Sequence, residues 1–308
     1  MNKIHKEVRP HRPRIWAIGG GKGGVGKSLV SVLLSMGLAR RNFKTVLVDA
    51  DLGAANLHTL MGVKTPGRTL NDFIIRRCTR IEEICTHTGV PNLQLVCGAS
   101  EILSLANPQF AQKNKIVQSI LHLSCDHVVL DLGAGTSYNV LDFFLIADNP
   151  IVVLTPQPIS IQNAYAFVRN AVYRKLSRAA SNHSSLQELV KLGMDPKNEN
   201  RMRTIHDLFE AVKKQHDRKM AGVLEKSLNE IKPLIVTNMA REQRDNNAGK
   251  IIQLVAEKYL AIHARDLGPI TYDPMIETMV SHMVPLFELP EDSPPRTNVK
   301  QLIDSVND

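Results

Sequence analysis

Gly21-Lys22-Gly23-Gly24-Val25-Gly26-Lys27-Ser28 is the stretch on which the reading of this chain turns. It satisfies G-x-x-x-x-G-K-[ST], a spacing that forms a phosphate-cradling loop when a strand precedes it and a helix follows. Both flanks comply. Ile15-Trp16-Ala17-Ile18 is a short apolar run suited to a buried strand, and Ser28–Arg40 is apolar on most faces and long enough for a buried helix. Glycines let the backbone curl until successive N–H groups point inward at phosphate oxygens, and the helix start adds its positive dipole end. Lys27 then supplies a point charge near the β/γ-phosphates, and the Ser28 hydroxyl can ligate Mg²⁺. The plain alternative, a glycine-rich turn with two solvated lysines, is opposed by flanks in register on both sides.

Working outward, Lys44-Thr45-Val46-Leu47-Val48-Asp49 closes a first βαβ unit. Further buried-strand candidates are Leu93–Cys97, His127–Asp131, Ile151–Thr155 and Leu234–Asn238, separated by helical stretches such as Pro108–Leu123 and Ser160–Leu176. This alternation predicts an α/β fold, a mainly parallel sheet with helices on both faces, whose ligand lies at the carboxyl ends of the strands. The rhythm breaks over about 178–232. There Leu186–Val190, Ile205–Val212 and Val223–Leu228 carry the three-and-four spacing of short amphipathic helices around a polar loop, Asp195–Arg203. The expected organisation is a flexible basic arm over 1–13, one nucleotide-binding domain over 14–290 with a helical insertion or lid at about 178–232, and a tail over 291–308. Val299, Leu302, Ile303 and Val306 share one face of that tail, which predicts a short amphipathic helix packed on the domain.

Composition sets bounds. The chain has 308 residues, 43% hydrophobic and 22% charged, enough for a sizeable core. A net charge of +8 and a pI near 9.3 permit contact with nucleic acid or anionic lipid without requiring either. Four scattered cysteines, Cys78, Cys85, Cys97 and Cys125, include no C-x-x-C pair, so they read as reduced thiols. The start lacks an apolar signal core and no segment is long and apolar enough to span a bilayer. The expected compartment is the cytoplasm, with peripheral contact at the inner face of the membrane as the alternative.

Two acidic motifs follow strand ends. Asp49-Ala50-Asp51-Leu52-Gly53-Ala54-Ala55-Asn56-Leu57 places two carboxylates one residue apart, enough to serve one metal and one water. Val128-Val129-Leu130-Asp131-Leu132-Gly133-Ala134-Gly135 is an apolar strand ending in Asp, the Walker B pattern. Asp131 would hold the metal through a water, and Gly133 would let a backbone N–H approach the γ-phosphate.

Lys22 is surplus to a plain phosphate loop. With it, Lys22-Gly23-Gly24-Val25-Gly26-Lys27-Ser28 resembles the deviant Walker A of the MinD/ParA family of P-loop ATPases, and the likeness extends over about 14–176 and 232–290. The resemblance implies a slow, partner-stimulated ATPase using ATP and Mg²⁺ in an ATP-dependent homodimer, with Lys22 reaching the partner's phosphates. It implies that Asp51 orients the attacking water and that Asp49 sits nearer the Mg²⁺ shell. It also implies that Asn238 and Asp273, the latter in Ile270-Thr271-Tyr272-Asp273 with Thr271 in place of the family's proline, lie on the adenine side. The Asn56-Leu57 and Asp131–Gly135 wording resembles the MinD-like regulators of flagellar number, although the N-terminal arm carries no D-Q-A motif. The implied role is a spatial regulator of a flagellum, pole or division site, with a protein partner. Two other classes compete. An iron–sulfur carrier of the Mrp type needs the paired cysteines that are absent. A ParA-like DNA partitioner would use Arg169, Arg174, Lys175 and Arg178, with Arg201, Arg203, Lys213, Lys214, Arg218 and Lys219 in the insertion.

Overall fold

The computed structural model describes residues 12–51, 53, 55–98, 110–195, 202–215 and 218–307. Most of the expected basic arm, part of the Asp195–Arg203 loop and the start of the Pro108–Leu123 helix lie outside those residues. Strand β1 (Arg14–Gly19) runs through the glycine loop into α1 (Lys27–Ala39), and β2 (Thr45–Ala50) follows. Helices α2 (Leu57–Leu60) and α3 (Leu70–Ile74) are short, and β3 (Cys85–His87) pairs antiparallel with β4 (Leu93–Val96). Then come α4 (Phe110–Leu121), β5 (His127–Leu132), α5 (Tyr138–Phe144), β6 (Asn149–Leu154) and α6 (Pro158–Ala179). Helices α7 (Ser184–Met194), α8 (Ile205–Gln215) and α9 (Arg218–Asn229) precede β7 (Leu234–Ala240). The described chain ends with α10 (Asn247–Leu260), β8 (Arg265–Thr271), α11 (Pro274–Ser281) and α12 (Pro294–Asn307).

The strands form one sheet in the order β3-β4-β2-β5-β1-β6-β7-β8, parallel throughout except for β3 against β4. β1 lies between β5 and β6, so the loop that leaves it opens at the point where the strand order reverses. Period-2 alternation sorts the strands into two cores. Ile15, Ala17, Val46, Val48, Val128 and Leu130 face α4, α5, α6 and α10. Trp16, Ile18, Leu47, Val129 and Val236 face α1 and α12. Continuing the alternation by two residues puts Asp49, Asp131 and Asn238 on the α1 side, the side on which the glycine loop arrives.

Each helix of the 178–232 stretch buries an apolar stripe into the core around α6. The stripes are Leu186, Leu189 and Val190 on α7, Ile205, Leu208 and Val212 on α8, and Ala221, Leu224 and Leu228 on α9. Arg169 fixes the end of α7 by donating to the carbonyls of Gly193 and Met194 at 3.2 and 2.7 Å, a cation on a helix C-terminus. At the other face, α12 buries Val299, Leu302 and Ile303 against α1 and β8, which uses the apolar face of the tail for packing. Ile303 sits so close to α1 that a methyl at Gly37 would meet its Cδ1 at 2.7 Å.

Candidate functional site

The loop between β1 and α1 is tied down from β7. Gly26 adopts φ 86°, a left-handed conformation that glycine takes without strain, and a Cβ there would strike the Asn238 amide at 2.1 Å. That amide is buried and donates to the Val25 carbonyl at 2.9 Å. The end of β7 is irregular at this point. Its register with β8 shifts between Thr237 and Ala240, and Met239 takes φ 59°.

Below the loop three charged groups meet. Lys27 is buried, and burial lowers its pKa against the opposing fields of Asp131 and Asp51. Asp131 is also buried, and that burial pushes its pKa up to about 6, offset in part by hydrogen bonds from Ser28 and Ser31 and by the charge of Lys27. The Ser31 hydroxyl donates to Asp131 Oδ1 at 2.9 Å. Asp51 lies against the segment after β5, since a Cβ on Gly133 would stand 3.1 Å from its Oδ1. Gly133 therefore leaves room for a carboxylate where any other residue would crowd it. The same segment returns to the loop, with the Gly135 N–H donating to the Gly20 carbonyl at 3.3 Å. Thus the structure brings Lys27, Ser28, Asp51, Asp131 and Gly133 together at the carboxyl ends of β1, β2 and β5.

Asp49 is the register partner of Asp131 across β2 and β5. Its two oxygens accept the backbone N–H groups of Asp51 at 3.3 Å and Leu57 at 3.1 Å, so the carboxylate shapes the turn that carries Asp51. Burial pushes it up to about 7, those two hydrogen bonds lower it, and Asp131 and Asp51 raise it further. Gly23, Gly24 and Lys22 are exposed at the loop's tip, whereas Val25 is buried beneath it and Gly21 is half-buried at its entrance. Asp273 caps α11 by accepting from the Met275 N–H at 2.9 Å.

Three contributors were not singled out in the sequence. Ser31 lies four residues beyond Lys27 on α1, a helical spacing that places it on the same face and could have found it. The Arg241 guanidinium stacks over the Tyr272 ring at 3.9 Å, bridging the ends of β7 and β8 between Asn238 and Asp273. Beside them a cavity of about 530 Å³ opens between Pro156, Met239 and Arg241, where β6, β7 and α10 approach one another. No sequence motif marks it, because its lining comes from segments distant in the chain.

Residues 12–177 match the ParA family model, described as NUBPL iron-transfer P-loop NTPase. Among curated proteins, the chain is 36% identical over 161 residues to the antiactivator FleN of Pseudomonas aeruginosa, covering 52% of this chain and 56% of that protein. It is 31% identical over 201 residues to the flagellum site-determining protein YlxH of Helicobacter pylori, covering 58% and 67%. The chain thus spans little more than half the length of the first relative. The fold matches the septum site-determining protein MinD of Pyrococcus horikoshii complexed with Mg-ADP, with a TM-score of 0.64 at 21% identity over 96% of both chains. It also matches the cell division ATPase MinD of Pyrococcus furiosus, with a TM-score of 0.63 at 20% identity over 96% of this chain and 98% of that one. With the glycine loop, the strand-end acids and the sheet order in agreement, this chain belongs to the ParA family of P-loop NTPases.

Proposed function

We propose that the chain is an ATP-hydrolysing dimerisation switch that regulates the placement or number of a cellular structure, the flagellum foremost. The observation that carries this reading is the contrast between the two loop lysines. Lys27 is buried beside Asp131 and Asp51, as a phosphate-binding cation should be, while Lys22 is exposed at the tip, able to meet a nucleotide held by another copy. Ser28 and Asp131 form a hard-oxygen donor set that fits Mg²⁺, which supplies charge neutralisation on the phosphates when bound. In this reading Asp51 orients the attacking water and Gly133 presents its N–H to the γ-phosphate. Asn238 holds the loop next to the base, and Asp273 helps shape the base side through its helix cap. Asp49 acts one step back, by setting the turn on which Asp51 rides. The relatives named for flagellar regulation and septum placement support the role, and a homodimer with a further protein partner is its expected working form.

The carrier reading is weakened by the thiols. Cys78, Cys85, Cys97 and Cys125 are scattered with no C-x-x-C pair, and Cys78 and Cys97 are buried. The DNA reading loses part of its α6 cluster to internal contacts. Arg169 caps α7, and Lys175 binds Glu230 at 2.7 Å. Among the described residues no helix is long and apolar enough to cross a membrane.

Light scattering with ATP and Mg²⁺ tests the switch. Wild type should move from monomer toward dimer, while Lys22→Ala should hold ATP and stay monomeric. A wild-type mass indifferent to nucleotide would sink the dimer.

A further inference from the structure

On the α5 side of the sheet, the second half of α6 and the insertion helix α7 enclose a cavity of about 460 Å³, within the size range of small-molecule sites. Its walls include Thr136, Tyr138, Arg174, Arg178, Gln187 and Lys191, and among the described residues no acidic side chain lines it. Beneath it sits one carboxylate, Asp142, buried and already engaged. Arg174 grips it through two hydrogen bonds at 2.8 and 2.9 Å, the buried Lys113 ammonium donates to it, and Arg178 approaches it at 3.6 Å. Arg174, Arg178 and Lys191 thus bring three cations to the cavity, and its described lining holds no carboxylate. An excess of positive charge around a concave, partly buried space favours an anion with several oxygens, because charge-assisted hydrogen bonds to guanidinium groups are strong and geometrically specific. The aromatic wall adds a second feature. The Arg174 guanidinium lies 4.4 Å from the Tyr138 ring centroid, and Tyr138 as a residue is 63% exposed, which leaves it open to stacking.

We propose that this cavity is a second anion site, for a phosphate-bearing small molecule held by Arg178, Lys191 and Arg174, with Tyr138 available to stack on an attached base. It is separate from the glycine loop and is built partly by the helices of the 178–232 stretch. Its position gives it a route to the first site. Thr136 and Tyr138 follow directly on Gly133–Gly135, the segment that bonds back to Gly20 at the loop, and Ser137 between them caps α5 by accepting from the Val140 N–H. A ligand that braces this segment biases the nucleotide site, and by linkage the nucleotide biases the ligand equally. That coupling rests on the proposed ATP reading; the binding itself does not.

The decisive experiment is calorimetric titration of the full chain carrying Lys27→Ala, which disables the glycine loop, with pyrophosphate and with guanosine monophosphate. One site per chain is expected. Adding Arg178→Ala with Lys191→Ala, both exposed positions, should weaken binding at least about tenfold, since hydrogen bonds to charged groups each contribute on that scale. Arg178→Lys, which keeps the charge but not the fork, should retain more affinity than Arg178→Ala. Guanosine monophosphate binding tighter than pyrophosphate, with the advantage erased by Tyr138→Leu, assigns a nucleotide; equal binding assigns the phosphate group alone, and either supports the site. No uptake by the Lys27→Ala protein, several weak sites in place of one, or binding indifferent to Arg178 and Lys191 would overturn the proposal. ATP titration of wild type keeps the two readings apart. Failure there removes the switch and its coupling, while the pyrophosphate result still decides the second site.

Discussion

Two charge clusters flank the segment that follows β5, and among the described residues one is mainly acidic and the other mainly basic. Under the glycine loop, Asp49, Asp51 and Asp131 face one buried lysine, Lys27. Below α5, the Asp142 carboxylate meets Lys113, Arg174 and Arg178. In the first, burial and mutual repulsion push Asp49 and Asp131 up; in the second, burial would raise Asp142, but hydrogen bonds from Arg174 and Lys113 hold it below the usual range. The contrast teaches that burial alone does not decide how a carboxylate ionises. The sign of its surroundings does, and a surplus of either sign marks the chemistry a site is prepared to receive.

Perturbing each cluster sharpens the comparison. The largest effect is expected at Lys27, the buried cation of the acidic cluster. Lys27→Ala should bring Mg-ATP affinity below detection in calorimetry, and wild-type affinity in that variant would refute the assignment of the loop. Next is Asp51, whose proposed work is on the water. Asp51→Ala should keep ATP and lose about a hundred- to ten-thousandfold in single-turnover rate, whereas Asp131→Ala should lose binding as well. Equal loss of ATP by both variants would erase the division of labour between the two acids.

The basic cluster answers in stability. Asp142→Asn leaves buried Lys113 and Arg174 without their carboxylate and should cost about 3–5 kcal/mol in urea unfolding at neutral pH. The folded pKa of Asp142 is depressed, so its contribution is complete above the unfolded value near 3.8 and is lost as pH falls through the folded one. Wild type and Asp142→Asn should therefore converge in strong acid; a constant gap from pH 7 to 2 would show that the ion pairs are not its source. The smallest effect is expected at Asn238→Ala, which removes one hydrogen bond to the loop. It should destabilise by about 1–3 kcal/mol, through the buried Val25 carbonyl it leaves unpaired. Thermal unfolding in the absence of nucleotide measures it, and an unchanged Tm would mean that the loop holds itself.

Much of this arrangement was legible beforehand because it is local or periodic. The glycine loop, the helix after it and the inner strands announce themselves in runs of apolar residues, and alternation along β2, β5 and β7 alone places Asp49, Asp131 and Asn238 on one face. The edges were not legible. β3 spans three half-buried or exposed residues, and β8 contains Gly268 and Pro269, which read as breakers yet are tolerated in a strand with a neighbour on one side only. The turn-shaping role of Asp49 was equally hidden, since it depends on where the Leu57 N–H comes to rest. The pairing of Asp142 with α4 and α6 joins residues 29 and 32 positions apart, and nothing in the spacing announces it.

The seat of α12 on α1 carries a consequence for how the molecule is made. Arg41 of the turn after α1 donates to the Lys300 carbonyl across 259 positions of chain, and Arg14 at the head of β1 reaches the Val306 carbonyl across 292. On a ribosome, the helix that anchors the glycine loop emerges early, with its outward apolar face uncovered until nearly all the described chain has followed. Through that interval Leu33 and Met36 of α1 wait for the cover that Val299 and its neighbours on α12 supply.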